Sequence, residues 1–174
     1  TDKAPFGVPA CGLIGAQLPL HQVGERRREP EAAERFGILL HALLERRTGG
    51  VVKDEWWVSL GFEEADYQRV LPMAERLLTA DALQCFFDPA RYLRAWNEVE
   101  LVTGAGQLQR IDRLVERDDD FWVLDYKSSG SDTGRIDDYR EQVAGYCRAV
   151  ADVFPAKRVR GVLVFSDASM MEVA

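Results

Sequence analysis

The sequence predicts an α/β fold whose mixed central sheet is flanked by helices, and three observations lead there. The first part of the chain carries helical periodicity. The middle carries three short β-patterned runs separated by turns, and a last amphipathic helix is followed by one more apolar run. Three runs joined by tight turns read as an antiparallel meander. A strand that follows a crossover helix normally joins its sheet in parallel, so the sheet is expected to be mixed.

Residues 1–30, rich in Gly, Pro and charge and containing Arg26-Arg27-Arg28, read as an extended leading segment. Residues 31–174 read as one domain, with 31–94 mainly helical and 95–174 forming the sheet core. From Glu31 to Arg47, Phe36, Leu39, Leu40, Leu43 and Leu44 fall on one helical stripe. Arg46 and Arg47 suit the negative end of the helix dipole, and Gly49-Gly50 stops it. Gly61 to Ala80 reads as a second helix through Tyr67, Val70, Leu71, Ala74, Leu77 and Leu78, with Pro72 in its first turn or at a kink. Asp81 to Arg94 holds a short helix and a turn at Asp88-Pro89. The meander then runs Ala95 to Val102, Gln107 to Glu116 and Phe121 to Tyr126, with turns at Gly104-Ala-Gly106 and Arg117 to Asp120. After a polar loop from Ser128 to Gly134, Tyr139, Val143, Tyr146, Val150 and Phe154 mark the crossover helix. Pro155 ends it, Val159 to Phe165 is the next strand, and Met170 to Val173 is read as one more.

Composition narrows the function. With 174 residues the chain can bury a core without staples, and a hydrophobic fraction of 47% excludes disorder as its main description. No apolar run approaches the roughly 18 residues of a membrane-spanning helix. Lys+Arg is 22 against Asp+Glu 29, and the net charge of -7 argues against a free-standing, non-specific nucleic-acid binder. Cys11, Cys85 and Cys147 are odd in number and scattered, which fits neither a disulfide framework nor a CxxC metal site and favours a reducing compartment. The start has no signal-peptide pattern, and a chain beginning at Thr1 reads as a piece of a longer polypeptide.

The chemistry concentrates in Arg110-Ile-Asp-Arg-Leu-Val and Val123-Leu-Asp-Tyr-Lys-Ser-Ser. Asp112 and Asp125 fall on adjacent expected strands, and Lys127 follows Asp125 by two, so these two side chains share a face. Paired carboxylates repel each other, and a divalent cation with a preference for oxygen relieves that repulsion. A nearby ammonium then orients a water, which is the chemistry phosphodiester hydrolysis requires. Each piece alone is commonplace: a lone strand Asp is usually solvated, and a D-x-K triplet is frequent by chance.

In combination, the segments resemble the PD-(D/E)XK nuclease superfamily, and within it the RecB-type nuclease domain of bacterial RecB- and AddA-like helicase–nucleases. Gly37-Ile-Leu-Leu-His41 with Leu44-Glu45 resembles the family's G-x-x-x-H-x-x-L-E helix. Glu98 resembles the acidic residue of its first strand, Ile111-Asp112-Arg113 its I-D-R strand, Leu124-Asp125-Tyr126-Lys127-Ser128 its L-D-Y-K-[ST] signature, and Gln142 to Tyr146 its Q-x-x-x-Y helix. The resemblance implies a restriction-endonuclease-like core and a metal-dependent DNA nuclease. It implies Mg²⁺ or Mn²⁺ held by Asp112, Asp125, His41 and the Tyr126 carbonyl, with Lys127 catalytic and Glu98, Gln142 and Tyr146 close to the substrate. It further implies a single-stranded DNA end as substrate, covalently attached helicase domains, a second subunit, and the bacterial cytoplasm. Three scattered cysteines cannot supply the four ligands of the iron–sulfur cluster found in some relatives. Two rivals are a degenerate nuclease fold used as a scaffold and a stand-alone phage- or restriction-type nuclease. The intact Asp112, Asp125 and Lys127 set argues against the first.

Other residues carry two readings each. Arg110 stands where the family usually has Gly, and a long cation there either reaches substrate phosphate or crowds the site. His41 is either a border histidine of its helix or a metal ligand. Gly37 costs its helix ~1 kcal/mol against Ala, which points to close approach of another backbone or of DNA. Tyr146 is core or site, Gln142 its polar margin or its partner. Trp56, Trp57 and Trp96 are expected in the core rather than stacked on bases. Asp118-Asp119-Asp120 is expected to be a solvated turn.

Overall fold

The computed structural model describes residues 32–50, 54–102, 108–127 and 134–173. The leading segment with Arg26 to Arg28 and Cys11, the turn at Gly104-Gly106 and loop residues 128–133 lie outside the described residues.

Helix α1 (Ala32–Gly49) buries Leu39, Leu40, Leu43 and Leu44 as its periodicity requires. It stops where Gly50 turns into the left-handed region at φ 76°, a conformation that costs a residue without a Cβ nothing. A 3-10 turn over Trp56–Leu60 precedes α2 (Glu64–Thr79). The start of α2 is fixed by a capping box between Glu63 and Asp66. Pro72 lies neither in the first turn nor at a break: α2 runs through it with the ring exposed, while Val70, Ala74 and Leu77 on the opposite side stay buried. Tertiary burial outweighs the one backbone hydrogen bond the proline removes. Trp56 and Trp57 are buried, and Trp57 stacks on Tyr67 at 3.9 Å between ring centres, which makes them core residues. A short α3 (Gln84–Phe87) ends the helical part.

The sheet has five strands in spatial order β1 (Arg94–Val102), β2 (Leu108–Glu116), β3 (Asp120–Lys127), β4 (Arg158–Phe165), β5 (Met170–Glu172). The first three pair antiparallel, β4 joins β3 in parallel after the crossover helix α4 (Ile136–Val153), and β5 returns antiparallel. The expected mixed sheet is present. One face buries Val115, Trp122, Leu124, Val162 and Val164 against α1 to α3. The other buries Phe121, Val123 and Leu163 against Val143, Tyr146 and Val150 of α4. No helix among the described residues is long and apolar enough to cross a membrane.

The alternation of β1 and β2 breaks at one place. Trp96 and Leu114 face α4, yet Val99 and Ile111, three residues away on each strand, face α4 too. The residues skipped are Glu98, whose φ of 52° is left-handed, and Asp112, opposite it in the register between Asn97↔Arg113 and Val99↔Ile111. A non-glycine residue held there costs of order 1–3 kcal/mol. Strict two-residue periodicity cannot anticipate this kink, which displaces one acidic side chain on each strand from the regular pleat.

Beside the kink, Arg113 is one of the largest fully buried side chains. Its guanidinium donates to the Phe86 carbonyl at 3.1 Å, Asn97 Oδ1 at 2.7 Å and the Tyr92 hydroxyl at 3.3 Å. Asn97 in turn donates to the Glu45 carbonyl and to Thr48. This network ties β2 and β1 to both ends of the helical layer.

Candidate active site

Strands β2 and β3 separate at their ends, and the separation builds the site. The last paired residues are Arg113 and Leu124, so continuing that register sets Asp112 opposite Asp125. Beyond that point Asp112 inserts its side chain, and the Tyr126 N–H donates to Asp112 Oδ2 at 2.7 Å. The Tyr126 carbonyl faces His41 of α1, whose Nε2 lies 3.0 Å away, while His41 Nδ1 is 3.4 Å from Asp112 Oδ1. Both ring nitrogens meet acceptors, an arrangement satisfied in full only by the doubly protonated imidazolium. Burial pulls the His41 pKa down, but the hydrogen bond and charge of Asp112, with Asp125 and the Tyr126 carbonyl, outweigh it and leave the pKa raised.

Asp125 is buried. Lys127 Nζ lies 2.6 Å from Asp125 Oδ2, a close ion pair. Burial and the neighbouring Asp112 charge push the Asp125 carboxyl up to about 6 against the opposing pull of Lys127. Lys127 also sits 4.3 Å over the Tyr139 ring and 3.4 Å from Gln142 Oε1, and Gln142 Nε2 donates to the Tyr146 hydroxyl at 2.8 Å. Asp125, Lys127, Gln142 and Tyr146 therefore form one polar chain from β3 to α4. Tyr146 is both core and chain end: its ring is buried among apolar residues, and burial raises its hydroxyl to about 12. Glu98, across the register from Asp112, is paired with Arg110 at 2.6 Å. Burial raises its pKa and the Arg110 charge opposes the rise.

Of these groups His41, Glu98, Arg110, Tyr126 and Lys127 line a cleft of about 510 Å³ between α1 and the sheet, together with Gly37, whereas Asp112, Asp125, Gln142 and Tyr146 are not part of its lining. Tyr139, Ile38 and Leu60 also line it; the sequence pattern marks Tyr139 only as a residue of the crossover helix and gives Ile38 and Leu60 no site role. Tyr139 was within reach, being three residues before Gln142 and seven before Tyr146 on the same helical face. Ile38 and Leu60, 46% and 43% exposed, gave no signal, since scattered surface apolar residues are ordinary. Apart from the backbone of its own helix and its chain neighbours, no atom of the described residues lies within 4 Å of the Cβ that Gly37 lacks, so no other described backbone explains the glycine. Gly37→Ala is expected to raise stability by about 1 kcal/mol in urea melts; a fall would show that the helix needs the glycine for its own packing.

The electrostatics fix the direction of a pH effect on the metal-free protein. The raised Asp125 carboxyl is neutral in the folded state over part of the range where it is ionised in the unfolded chain. Folding then binds a proton, and stability falls as pH rises from about 3.8 towards about 6. His41, also raised, adds stability that is present below 6.5 and is lost as pH climbs through its folded pKa. Melting temperature is thus expected to fall from pH 5 to pH 8, and Asp125→Asn to flatten the lower part of that slope. An unchanged slope in Asp125→Asn would remove Asp125 as its source.

The sheet order, the crossover and the cleft define an α/β protein of the restriction-endonuclease-like class. The family model of the PD-(D/E)XK nuclease superfamily matches residues 18–172, and the chain belongs to that superfamily. No curated protein matches it. Among solved structures it is similar to the crystal structure of SSO0001, with 21% identity over 79% of this chain and 75% of that one. The TM-score of 0.32 is too low to carry an argument.

Superfamily members generally use divalent metals, which makes the donor set a matter of fit. Among the described residues no group of three or more His, Cys, Asp and Glu side chains stands ready to hold an ion. The reason is visible: Asp112 is engaged by His41 and the Tyr126 N–H, and Asp125 by Lys127. The donor chemistry nevertheless fits, because two opposed carboxylates, one of them buried, suit a hard cation.

Proposed function

We propose that this chain is the nuclease domain of a RecB-type helicase–nuclease, a metal-dependent deoxyribonuclease acting on single-stranded DNA ends. The observation that supports it most is the buried Asp125 carboxylate, opposed to Asp112 and in contact with Lys127 at 2.6 Å. In this reading Asp112, Asp125, the Tyr126 carbonyl and His41 would hold Mg²⁺ or Mn²⁺, and the ion would supply Lewis acidity at the scissile phosphate. Lys127, held over Tyr139 and steadied by Gln142, positions the attacking water and offsets negative charge at phosphorus. Tyr146 holds Gln142 in place from the core. The reading extends to covalently attached motor domains, a second subunit and the bacterial cytoplasm, because a chain of net charge -7 suits DNA that is fed in rather than captured.

The purified protein is expected to degrade labelled single-stranded DNA with Mg²⁺ or Mn²⁺ and to be silent in EDTA. Equal cleavage in EDTA would refute the metal-assisted mechanism. Preference for duplex over single strands would refute the substrate assignment and favour a restriction-type enzyme.

A further inference from the structure

We propose that Arg110 binds a substrate phosphate in the cleft and that Glu98 parks it there between substrates. The proposal rests on the nuclease reading and adds a residue specific to this chain. Besides His41, which is tied to the Tyr126 carbonyl and Asp112, three cations line the cleft: Arg46, Arg110 and Lys127. Lys127 is committed to Asp125, Gln142 and the Tyr139 ring. Arg46 is committed to the Ala42 carbonyl at 3.0 Å, to Glu45, and to the face of Trp56 at 4.1 Å. Arg110 uses only its Nε, 2.6 Å from Glu98 Oε2, and its side chain is 63% exposed. Among the described residues its two terminal nitrogens have no further partner. A guanidinium anchored at one edge in this way still presents N–H groups to a phosphate oxygen.

The choice of partner is informative. Arg110 stands directly across from the exposed Glu100 in the β1–β2 register, where a surface ion pair would form with no reach at all. It pairs instead with Glu98, the kinked residue on the cleft wall. The guanidinium is therefore held at the cleft. The remaining wall charges are hostile to DNA: Glu34, Glu45 and Glu98 line it, and Asp112 and Asp125 stand at the site behind. A phosphodiester backbone entering there needs one mobile cation, and Arg110 is the lining cation not tied into packing.

The test is fluorescence anisotropy of a labelled single-stranded oligonucleotide in EDTA across a KCl series, with cleavage kinetics in Mg²⁺ alongside. Arg110→Ala is expected to weaken binding about tenfold at low salt. The slope of log K against log salt should fall by about 0.7. KM should rise more than kcat falls. Arg110→Lys, which keeps the charge, should keep the slope, and Glu98→Gln, which frees the arginine, should tighten binding. Wild-type affinity and slope in Arg110→Ala, with the wild type still cleaving, would overturn the Arg110 assignment alone. Weaker binding by Glu98→Gln would overturn the parking role. A wild type that neither binds nor cleaves would overturn this proposal together with the nuclease reading.

Discussion

Replacing Lys127 with Ala is expected to slow single-turnover DNA cleavage by about 10²–10³-fold, the usual cost of removing one preorganised charge-stabilising group. Both carboxylates remain, so Mg²⁺ should still bind. The metal-free variant should melt lower than wild type at neutral pH, because Asp125 keeps its buried position and loses the cation 2.6 Å away. Saturating Mg²⁺ should close most of that gap. Asp125→Ala should behave in the opposite way: a metal-free fold as stable as wild type or more so, since the raised carboxyl penalises the folded state, and loss of Mg²⁺ affinity and cleavage together. If the two residues were a structural ion pair, both variants would melt lower and neither would lose metal selectively. Melting curves with and without Mg²⁺, paired with single-turnover cleavage, separate these patterns. A Lys127→Ala protein that cuts at the wild-type rate removes the lysine from the mechanism.

The largest effect on stability is expected from Arg113→Ala, a loss of about 3–5 kcal/mol. Among the described residues Arg113 makes no ion pair; it is satisfied by the Phe86 carbonyl, Asn97 and the Tyr92 hydroxyl, with the Phe87 ring 5.5 Å away. Truncation opens a cavity beside the kink and leaves three polar groups short of a partner in the interior. Arg113→Lys keeps the charge but not the three-way fork, and should recover only part of the loss. Urea unfolding measures both variants. A loss below about 1 kcal/mol for Arg113→Ala would mean that the network relaxes around water.

Local patterns in the sequence determined most of the architecture. The Leu39-Leu40 and Leu43-Leu44 spacing can bury only one helical face, and α1 is that helix. The meander, the crossover helix and the parallel fourth strand follow from turn residues and from the handedness of strand connections. The identity of the chemistry was legible for a similar reason: Asp125 and Lys127 sit two residues apart on a strand, and two-residue periodicity alone brings them to one face.

What only the tertiary structure decided lies where that periodicity fails or where partners are distant in the chain. The kink at Glu98 and Asp112 is a backbone conformation that Glu disfavours locally, and it is held by pairing across strands rather than by its own residue type. The double engagement of His41 joins residues 85 positions apart, through the Tyr126 carbonyl, and no helical wheel contains the second partner. Burial raises the Asp125 carboxyl, and burial is a property of the packed layers. Arg113 reads in sequence as part of a strand motif; its role as an uncharged-partner brace arises because Phe86, Tyr92 and Asn97 converge on it only in the folded chain. Sequence encodes short-range geometry directly, whereas the protonation, pairing and strain of this site are set by which distant groups the fold presses together in a low dielectric.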